Sequence, residues 1–420
     1  MERINSNYIE RQYTNAIKGF ALILMFVHHF FCFPDRLVDG IEYSNIDSFA
    51  HVFHDITNVC VCLFAFLTGH FYFFTKKKTF RYSIRKASDI YINYLFVLAL
   101  FLVLDVFLNC YKITAKGLVL ELLILDKPNM EFCWYVLFYI MAIFILPLFD
   151  KVAQKSSIFA ISIGIVLPFF IVYIVNIIKE SANIGSLDLL FDAVKFISGF
   201  PCVASGYVFA KEGLFFKIDI ISNKNTFIKI TLSLLFIIVP MLARCAKESF
   251  DFVYAPLIIC GLLNLLRFIK HEKVLFPISI IGKYSLLMWF LHSVFFNVSK
   301  EYTQPILYYP YNPILVLLWG LVLTLAVSFV ISFPINAMCI GTPCVSAYVG
   351  GVPDMATDGE NALFYRNEDP ALLAWNIKRV FDDDDLALKL SANGRKQARI
   401  THDAEKNAQT LYNIYQEILK

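Results

Sequence analysis

Long stretches of the chain consist of apolar residues that follow one another with almost no charge. Examples are residues 94–106, 134–149 and 227–243 of the 420-residue sequence. A helix needs about 20 predominantly apolar residues to cross a bilayer, where every backbone polar group must be hydrogen-bonded within the protein. Over the whole chain 58% of residues are hydrophobic and 17% are charged, whereas roughly a quarter are charged in ordinary soluble domains. The sequence therefore predicts an all-α polytopic membrane protein.

We predict about ten transmembrane helices within residues 1–333. The sixth contains Gly199, Pro201 and Gly206, which membrane helices tolerate when neighbouring helices cover the exposed backbone. If the N-terminus is cytoplasmic, Lys and Arg are roughly twice as frequent in the inner segments as in the outer ones, as the positive-inside rule requires. Both termini are then cytoplasmic, in a multi-pass protein of the plasma (inner) membrane. The predicted spans are 17–33, 50–74, 90–110, 132–149, 157–178, 190–210, 226–243, 251–269, 277–298 and 313–333.

The first span contains ionisable residues, which are costly inside a membrane and therefore mark candidate sites. Lys18 lies at its cytoplasmic end, and His29 follows eleven residues later. Eleven residues turn a helix by about 20° beyond three full turns, so the two side chains share one face about 16 Å apart. His28 lies about 80° from Lys18 on the other side. Helix geometry therefore favours His29 as the residue that faces the same interior as Lys18.

Four further segments follow this pair in order along the chain. The second span contains Thr68-Gly69 in an aromatic-rich setting, and a basic inner loop follows it with Arg81, Arg85 and Lys86. The remaining two segments are Cys133-Trp134-Tyr135-Val136-Leu137 and the helix from Gly282-Lys283-Tyr284-Ser285 to His292.

These features together resemble the acyltransferase-3 membrane family, which transfers acyl groups onto glycans and other acceptors. The resemblance lies in a basic residue, ten further residues and a histidine in the first of ten helices, followed by the four segments, and it covers about residues 8–333. The family usually has arginine where this chain has Lys18. Lysine keeps the positive charge but lacks the planar, two-pronged guanidinium.

The resemblance implies that the donor is an acyl-CoA, commonly acetyl-CoA, drawn from the cytoplasm. The acceptor would be a cell-surface polysaccharide or its lipid-linked precursor, and no nucleic acid is implied. His29 and Lys18 are the predicted catalytic residues. His29 would be the general base, because an imidazole with a pKa of roughly 6.5 suits that role at neutral pH. Arg85, supported by Arg81 and Lys86, is predicted to bind the coenzyme A phosphates. The same basic cluster would also set topology and contact anionic lipid.

The remaining motif residues are candidates for binding substrate or for shaping the fold. These are Thr68, Gly69, Trp134 and His292. No metal site is predicted: His51 and His54 are spaced like two ligands on one helical face, but a third ligand is not apparent. A polar rim or a solvated helix end is the simpler interpretation of those two histidines and the neighbouring Asp55.

Residues 334–420 differ in character from the membrane region. Segments such as Gly341-Thr342-Pro343-Cys344-Val345 and Val349-Gly350-Gly351 resemble the C-terminal part of GT-B glycosyltransferases of the family-4 type. We expect a short α/β fragment, a partial Rossmann-like half of that fold, with helices near 370–381 and 403–419 and a solvated helix edge at 382–385. Asn336 stands where the family has a donor-binding glutamate. We therefore expect no glycosyltransferase activity from the tail.

Three other functions remain open from the sequence. A ten-helix glycan or lipid exporter should show internal repeats and broken helices at the midplane. A glycosyltransferase could use the membrane region as an anchor, and an assembly subunit could bind other polysaccharide-synthesis enzymes through its tail. The Lys18/His29 pair favours a membrane O-acyltransferase over these.

Overall fold

The computed structural model describes residues 9–41, 53–76, 78–110, 114–125, 130–182, 188–217, 225–246, 250–269, 272–340, 343–349 and 356–401. The chain divides into two compact units, Met1–Ser328 and Phe329–Lys420. His51, Gly350, Gly351 and the predicted helix at 403–419 lie outside the described residues.

The first unit is helical throughout its described length. Its helices are α1 (Arg11–Phe31), α2 (Val59–Phe73), α3 (Phe80–Phe107), α4 (Ala115–Leu122), α5 (Trp134–Lys155), α6 (Ser157–Ile161), α7 (Leu167–Ala182), α8 (Asp188–Glu212), α9 (Leu214–Lys217), α10 (Thr226–Ala246), α11 (Asp251–Ile269), α12 (Glu272–Lys283), α13 (Ser285–Leu291), α14 (Lys300–Tyr308) and α15 (Pro313–Ile340), the last of which continues past Ser328 into the second unit. A π-helical turn at Ser162–Val166 joins α6 to α7.

Each of the ten predicted spans corresponds to a helix or a joined pair of helices. Within the described residues, eight segments are long and apolar enough to cross a membrane, and a pair bent by 61°, Val274–Lys283 with Ser285–Phe295, makes a ninth. The sixth predicted span is the 25-residue helix α8, which is not among those nine. The expected fold class, a mostly helical membrane protein with a small α/β C-terminal part, is confirmed.

The basic segment after the second span is part of a helix and not a loop, which corrects the sequence interpretation. Helix α3 begins at Phe80, ten residues before the predicted span. The hydroxyl of Thr79 accepts a hydrogen bond from the Tyr82 N–H at 3.3 Å and so caps the first turn. The basic side chains of residues 81–86 therefore have fixed helical directions, and only some of them can face the protein interior.

Two glycines bring α1 and α12 into backbone contact. A Cβ atom added to Gly282 would lie 1.7 Å from the carbonyl oxygen of Asn15, and one added to Gly19 would lie 2.1 Å from that of Ile278. Membrane helices use small residues in this way because close backbone approach increases packing where the hydrophobic effect is weak. The Gly282 motif thus fixes the bent α12–α13 pair against the helix that carries His29.

A second pair of glycines joins α2 to α8 in the same manner. A Cβ atom on Gly69 would lie 1.8 Å from the carbonyl oxygen of Val203, and one on Gly206 would lie 2.0 Å from that of Phe66. Gly206 was noted in the sequence only as a residue that the sixth span tolerates. In the structure it and Gly69 are required for the closest contact between these two helices.

A buried ion pair ties α10 to α11 and to the segment before α2. The side chain of Arg244 donates to both carboxylate oxygens of Asp251, at 2.8 and 3.1 Å. Its remaining nitrogen donates to the carbonyl oxygen of Asp55 at 2.5 Å. The guanidinium therefore satisfies three acceptors at once, which is what a buried arginine needs to offset the loss of hydration.

The second unit contains a small parallel sheet and two helices after α15. Strand β1 (Cys344–Ala347) pairs with β2 (Ala362–Tyr365), with Val345 opposite Leu363. Helix α16 (Pro370–Asp382) lies where a helix was predicted, and α17 (Asp384–Thr401) was missed. The acidic run at 382–385 is more than a solvated edge, because the carboxylate of Asp383 accepts from the Leu386 N–H at 2.9 Å and starts α17.

Candidate active site

A cavity of about 600 Å³ lies in the first unit among α1, α2, α3, α5 and α13. Its wall is largely aromatic, with Trp134, Tyr135 and Trp289 among the lining residues. The remaining lining residues are divided between apolar and polar side chains, and most of the polar ones come from α1 and α3. A concave, mainly apolar space of this size with a few polar groups is typical of sites that bind small molecules.

The cavity extends along the helices from one end of the bundle toward the other. Lys18 lies in the third turn of α1, and it shares the lining with Tyr82 and Lys86 from the first turns of α3. His29 lies in the last turn of α1, and it shares the lining with Asn58, just before α2, and Trp134, the first residue of α5. Since an α-helix rises 1.5 Å per residue, Lys18 and His29 are about 16 Å apart along α1. One cavity thus has a lysine end and a histidine end.

His29 is enclosed by aromatic rings. Its ring centroid lies 3.9 Å from that of Phe132 and 5.0 Å from that of His292. Its Nδ1 atom is buried and has no hydrogen-bond partner among the described residues. A buried polar nitrogen without a partner is costly, so this atom is a natural position for a contact with water, substrate or a neighbouring group.

His28 also lines the cavity, which the face argument from the sequence did not anticipate. Its Nδ1 lies 3.1 Å from the hydroxyl of Thr57, and its ring centroid is 4.7 Å from that of His54. His54 in turn lies 2.9 Å from a carboxylate oxygen of Asp55. The two adjacent histidines of α1 therefore differ in their surroundings: His28 is fixed by a hydroxyl, whereas the Nδ1 of His29 is not hydrogen-bonded.

Five of the nine predicted site residues line the cavity, and four do not. Among them, the cavity lining includes Lys18, His29, Lys86, Thr68 and Trp134. The other four are placed elsewhere: Gly69 contacts α8, His292 is buried beside His29, and Arg81 and Arg85 are exposed and do not line the cavity.

The face of α3 that lines the cavity explains why Lys86 and not Arg85 reaches it. The lining residues Tyr82, Lys86, Asp89 and Asn93 are spaced by four, three and four positions, which is the spacing of one helical face. Lys86 also forms an ion pair with Asp89 at 3.1 Å. Arg85 is turned by about 100° from Lys86. The sequence analysis missed this polar stripe because it treated residues 81–86 as a loop and began the span at residue 90.

No group of three or more His, Cys, Asp or Glu side chains suited to a metal ion occurs within the described part of the chain. The sequence placed His54 and Asp55 at a polar rim; in the structure His54 lies next to His28, and Asp55 contacts His54. Their side chains are 38% and 45% exposed, so this pair is accessible from outside the cavity.

Comparison with known proteins divides the chain into two parts. A family model described as an acyltransferase domain matches residues 11–333, and one described as glycosyl transferases group 1 matches residues 332–397. A D-inositol 3-phosphate glycosyltransferase from Corynebacterium efficiens is 36% identical over 64 residues. That similarity covers 15% of this chain and 15% of the relative, so the chain spans only a small part of the curated protein it matches. No solved structure shows significant similarity to the chain.

Proposed function

The chain belongs to the acyltransferase-3 family and is a multi-pass membrane acyltransferase. We propose that it transfers an acyl group, most simply acetyl, from acyl-CoA to a hydroxyl group. The acceptor in this proposal is a cell-surface polysaccharide or its lipid-linked precursor. The observation that carries this proposal is that one cavity has Lys18 and Lys86 at one end and His29 at the other. Such an arrangement suits a reaction whose two substrates come from opposite directions.

The lysine end is the proposed donor side. Lys18 and Lys86 offer positive charge within the cavity, and Arg81 and Arg85 are exposed on the same first turns of α3. Coenzyme A carries phosphates, which lysine binds as a point charge and arginine as a two-pronged donor. In this proposal the exposed arginines contact phosphates outside the cavity, while the pantetheine arm enters past Lys86. The positive-inside distribution of charge supports a cytoplasmic location for this end.

The aromatic residues of the cavity wall suit the uncharged part of the donor. The volume of about 600 Å³ is in the range of small-molecule sites and accommodates an extended thioester arm. Thr68 and Tyr135 add hydroxyl groups to this wall. In this proposal these hydroxyls contact the donor arm on its way to His29.

At the histidine end, His29 is the proposed general base. It takes the proton from the acceptor hydroxyl as the oxygen attacks the thioester carbon, so that a C–O bond forms and the C–S bond breaks. The leaving thiolate then takes the proton from His29, which gives free coenzyme A, the ester and a neutral imidazole. General-base catalysis of this kind contributes about 10²- to 10⁴-fold to the rate.

The acceptor is proposed to bind beside Asn58 and Trp134 at this end. Aromatic rings stack on the apolar faces of sugars, and amides and histidines bind sugar hydroxyls. With the N-terminus cytoplasmic, this end faces the outer side of the plasma membrane, where surface glycans and their lipid-linked precursors are assembled. This placement favours a glycan acceptor over a soluble cytoplasmic metabolite.

We propose that the tail does not transfer sugars. Its similarity to glycosyltransferases covers residues 332–397, and the described part forms one two-stranded sheet with two helices after it. A donor cleft of the GT-B type lies between two complete Rossmann-like domains, which this segment cannot supply. Docking onto partner enzymes of polysaccharide synthesis is the alternative role for the tail.

Mass spectrometry of surface glycans tests the proposal in the producing cell. Loss of the gene should remove an acetyl-sized mass increment, and the wild-type gene should restore it while His29→Ala should not. An unchanged glycan mass profile without the gene would contradict the proposed acceptor class.

A further inference from the structure

His292 is held in one tautomer by the helix that precedes it. Its Nδ1 atom is hydrogen-bonded to the carbonyl oxygen of Trp289, one turn earlier. A carbonyl oxygen can only accept, so Nδ1 carries the hydrogen and Nε2 carries the lone pair. The side chain is fully buried, and its ring stacks on those of Phe26 and Phe132, with centroids 5.6 and 5.3 Å away. The ring can therefore neither leave nor turn over without breaking these contacts.

The lone pair of His292 has no partner of its own. Its Nε2 atom is buried without a hydrogen bond to any described residue, as is Nδ1 of His29. The two rings lie 5.0 Å apart with their planes at 37°. Two nitrogens without hydrogen-bond partners thus lie in adjacent rings at the histidine end of the cavity. One of them, Nε2 of His292, can only accept a hydrogen bond. Native proteins rarely leave such atoms unpaired, and a bridging water is the usual solution.

We propose that His292 is a positioning residue for the reaction: it accepts the Nδ1 hydrogen of His29 through one bridging water and so leaves the Nε2 lone pair of His29 free to act as the base. This inference rests on the proposed role of His29. His292 neither contacts substrate nor takes a proton. It selects the tautomer of His29 and stabilises the imidazolium that forms when the acceptor hydroxyl loses its proton, as the orienting member of a catalytic triad does.

The neighbouring histidine does not have this arrangement. Nδ1 of His28 is already 3.1 Å from the Thr57 hydroxyl, and the ring of His28 packs against those of His29, Phe33 and His54. His292 therefore distinguishes between two adjacent histidines that both line the cavity. Helix geometry favoured His29 from the sequence, but it does not separate two histidines that both line the cavity.

Two amide substitutions of His292 separate positioning from packing. His292→Asn places an amide near the Nδ1 position, so it can still donate to the Trp289 carbonyl but offers no acceptor toward His29. His292→Gln is one carbon longer and places its amide oxygen near the Nε2 position, where it can accept. Both variants are polar and smaller than histidine, and His292→Asn leaves the larger space, so the unfolding temperature of each variant is measured alongside its kinetics.

The test measures acyl transfer from acetyl-CoA by purified full-length protein in liposomes, with kcat and KM obtained separately across pH. We expect His292→Asn to lower kcat roughly 10- to 100-fold while the KM for acetyl-CoA changes less than about twofold, since an orienting partner acts on the chemical step. His292→Gln should retain kcat within about fivefold of wild type. The midpoint of the pH–rate profile should shift in His292→Asn and not in His292→Gln.

Equal kcat losses in the two variants, or wild-type kcat in His292→Asn, would overturn the positioning role. His29→Ala, measured in parallel, keeps this result apart from the underlying function. If His29→Ala is inactive and His292→Asn is fully active, the proposed function stands and the role of His292 fails. If His29→Ala is fully active, His29 is not the base and both proposals fail. Gel filtration and the unfolding temperature in detergent confirm that each variant is folded.

Discussion

Gly69 of α2 lies against the carbonyl oxygen of Val203 in α8, so closely that a Cβ atom at Gly69 would come within 1.8 Å of that oxygen. Gly206 makes the reciprocal contact with Phe66. Thr68, the residue directly before Gly69, lines the cavity. The contact of α2 with α8 therefore holds one wall of the candidate active site in place.

Gly69→Ala should destabilise the protein, because the new methyl group meets backbone that cannot move aside as a side chain can. Overpacking of this kind costs about 1–3 kcal/mol or more. Thermal unfolding in detergent measures it, with Val103→Leu as the control. Val103 is 68% exposed on the outside of α3, so an added methylene there meets open space. An unchanged unfolding temperature in Gly69→Ala would show that α2 and α8 are not so closely packed.

Arg244→Lys should lower stability although it keeps the charge. Lysine cannot donate simultaneously to both oxygens of Asp251 and to the carbonyl of Asp55, as Arg244 does. We expect a loss of about 1–3 kcal/mol, below the cost of breaking a fully buried pair because Asp251 is partly exposed. Asp89→Asn, which removes the more exposed partner of Lys86, should cost less than about 1 kcal/mol. Unfolding in detergent measures both variants. Equal losses of unfolding free energy in Arg244→Lys and Asp89→Asn would contradict the expected difference.

Lys86→Gln should raise the KM for acetyl-CoA by roughly tenfold, because it removes a positive charge from the donor end of the cavity. Lys155→Gln is the matched control, since Lys155 is an exposed lysine at the end of α5 that does not line the cavity. Steady-state kinetics at fixed ionic strength measures both variants. A similar change of KM in both variants, or no change in Lys86→Gln, would show that Lys86 does not bind the donor.

Truncation after Ile340 should leave acyl transfer within about twofold of wild type. Helix α15 continues to Ile340, so this end point keeps the helix intact, whereas a cut at the predicted boundary near 333 would remove its last two turns. The assay compares the truncated and full-length proteins at equal amounts in membranes. Loss of activity in a stably inserted truncated protein would show that the tail contributes to acyl transfer.

Much of the architecture could be predicted from the sequence because membrane helices have a strong local signal. A run of about 20 apolar residues is enough to locate a span, and the helical repeat is enough to place Lys18 and His29 on one face. Both residues line the same cavity in the structure. The start of α3 was misplaced, since its first turns are polar and carry no apolar run.

The details of the site depend on contacts between distant segments, which a single sequence does not encode locally. The Thr57 hydroxyl beside His28 and the His292 ring beside His29 come from helices that the topology brings together. The same holds for Gly69 and Gly206, whose spacing along the chain gives no indication that their helices touch. Lys86 was distinguishable from Arg85 only after the helical start at Phe80 was known.

The central claim is that His29 supplies the base for acyl transfer within this cavity. The most direct measurement is the transfer of a radiolabelled acetyl group from acetyl-CoA by the purified protein in liposomes that contain a glycan acceptor, with His29→Ala and His28→Ala compared at equal protein. We expect His29→Ala to lose at least about 10²-fold in kcat, and His28→Ala, whose Nδ1 is held by Thr57, to lose less than about tenfold. Wild-type kcat in a folded His29→Ala protein would contradict the account.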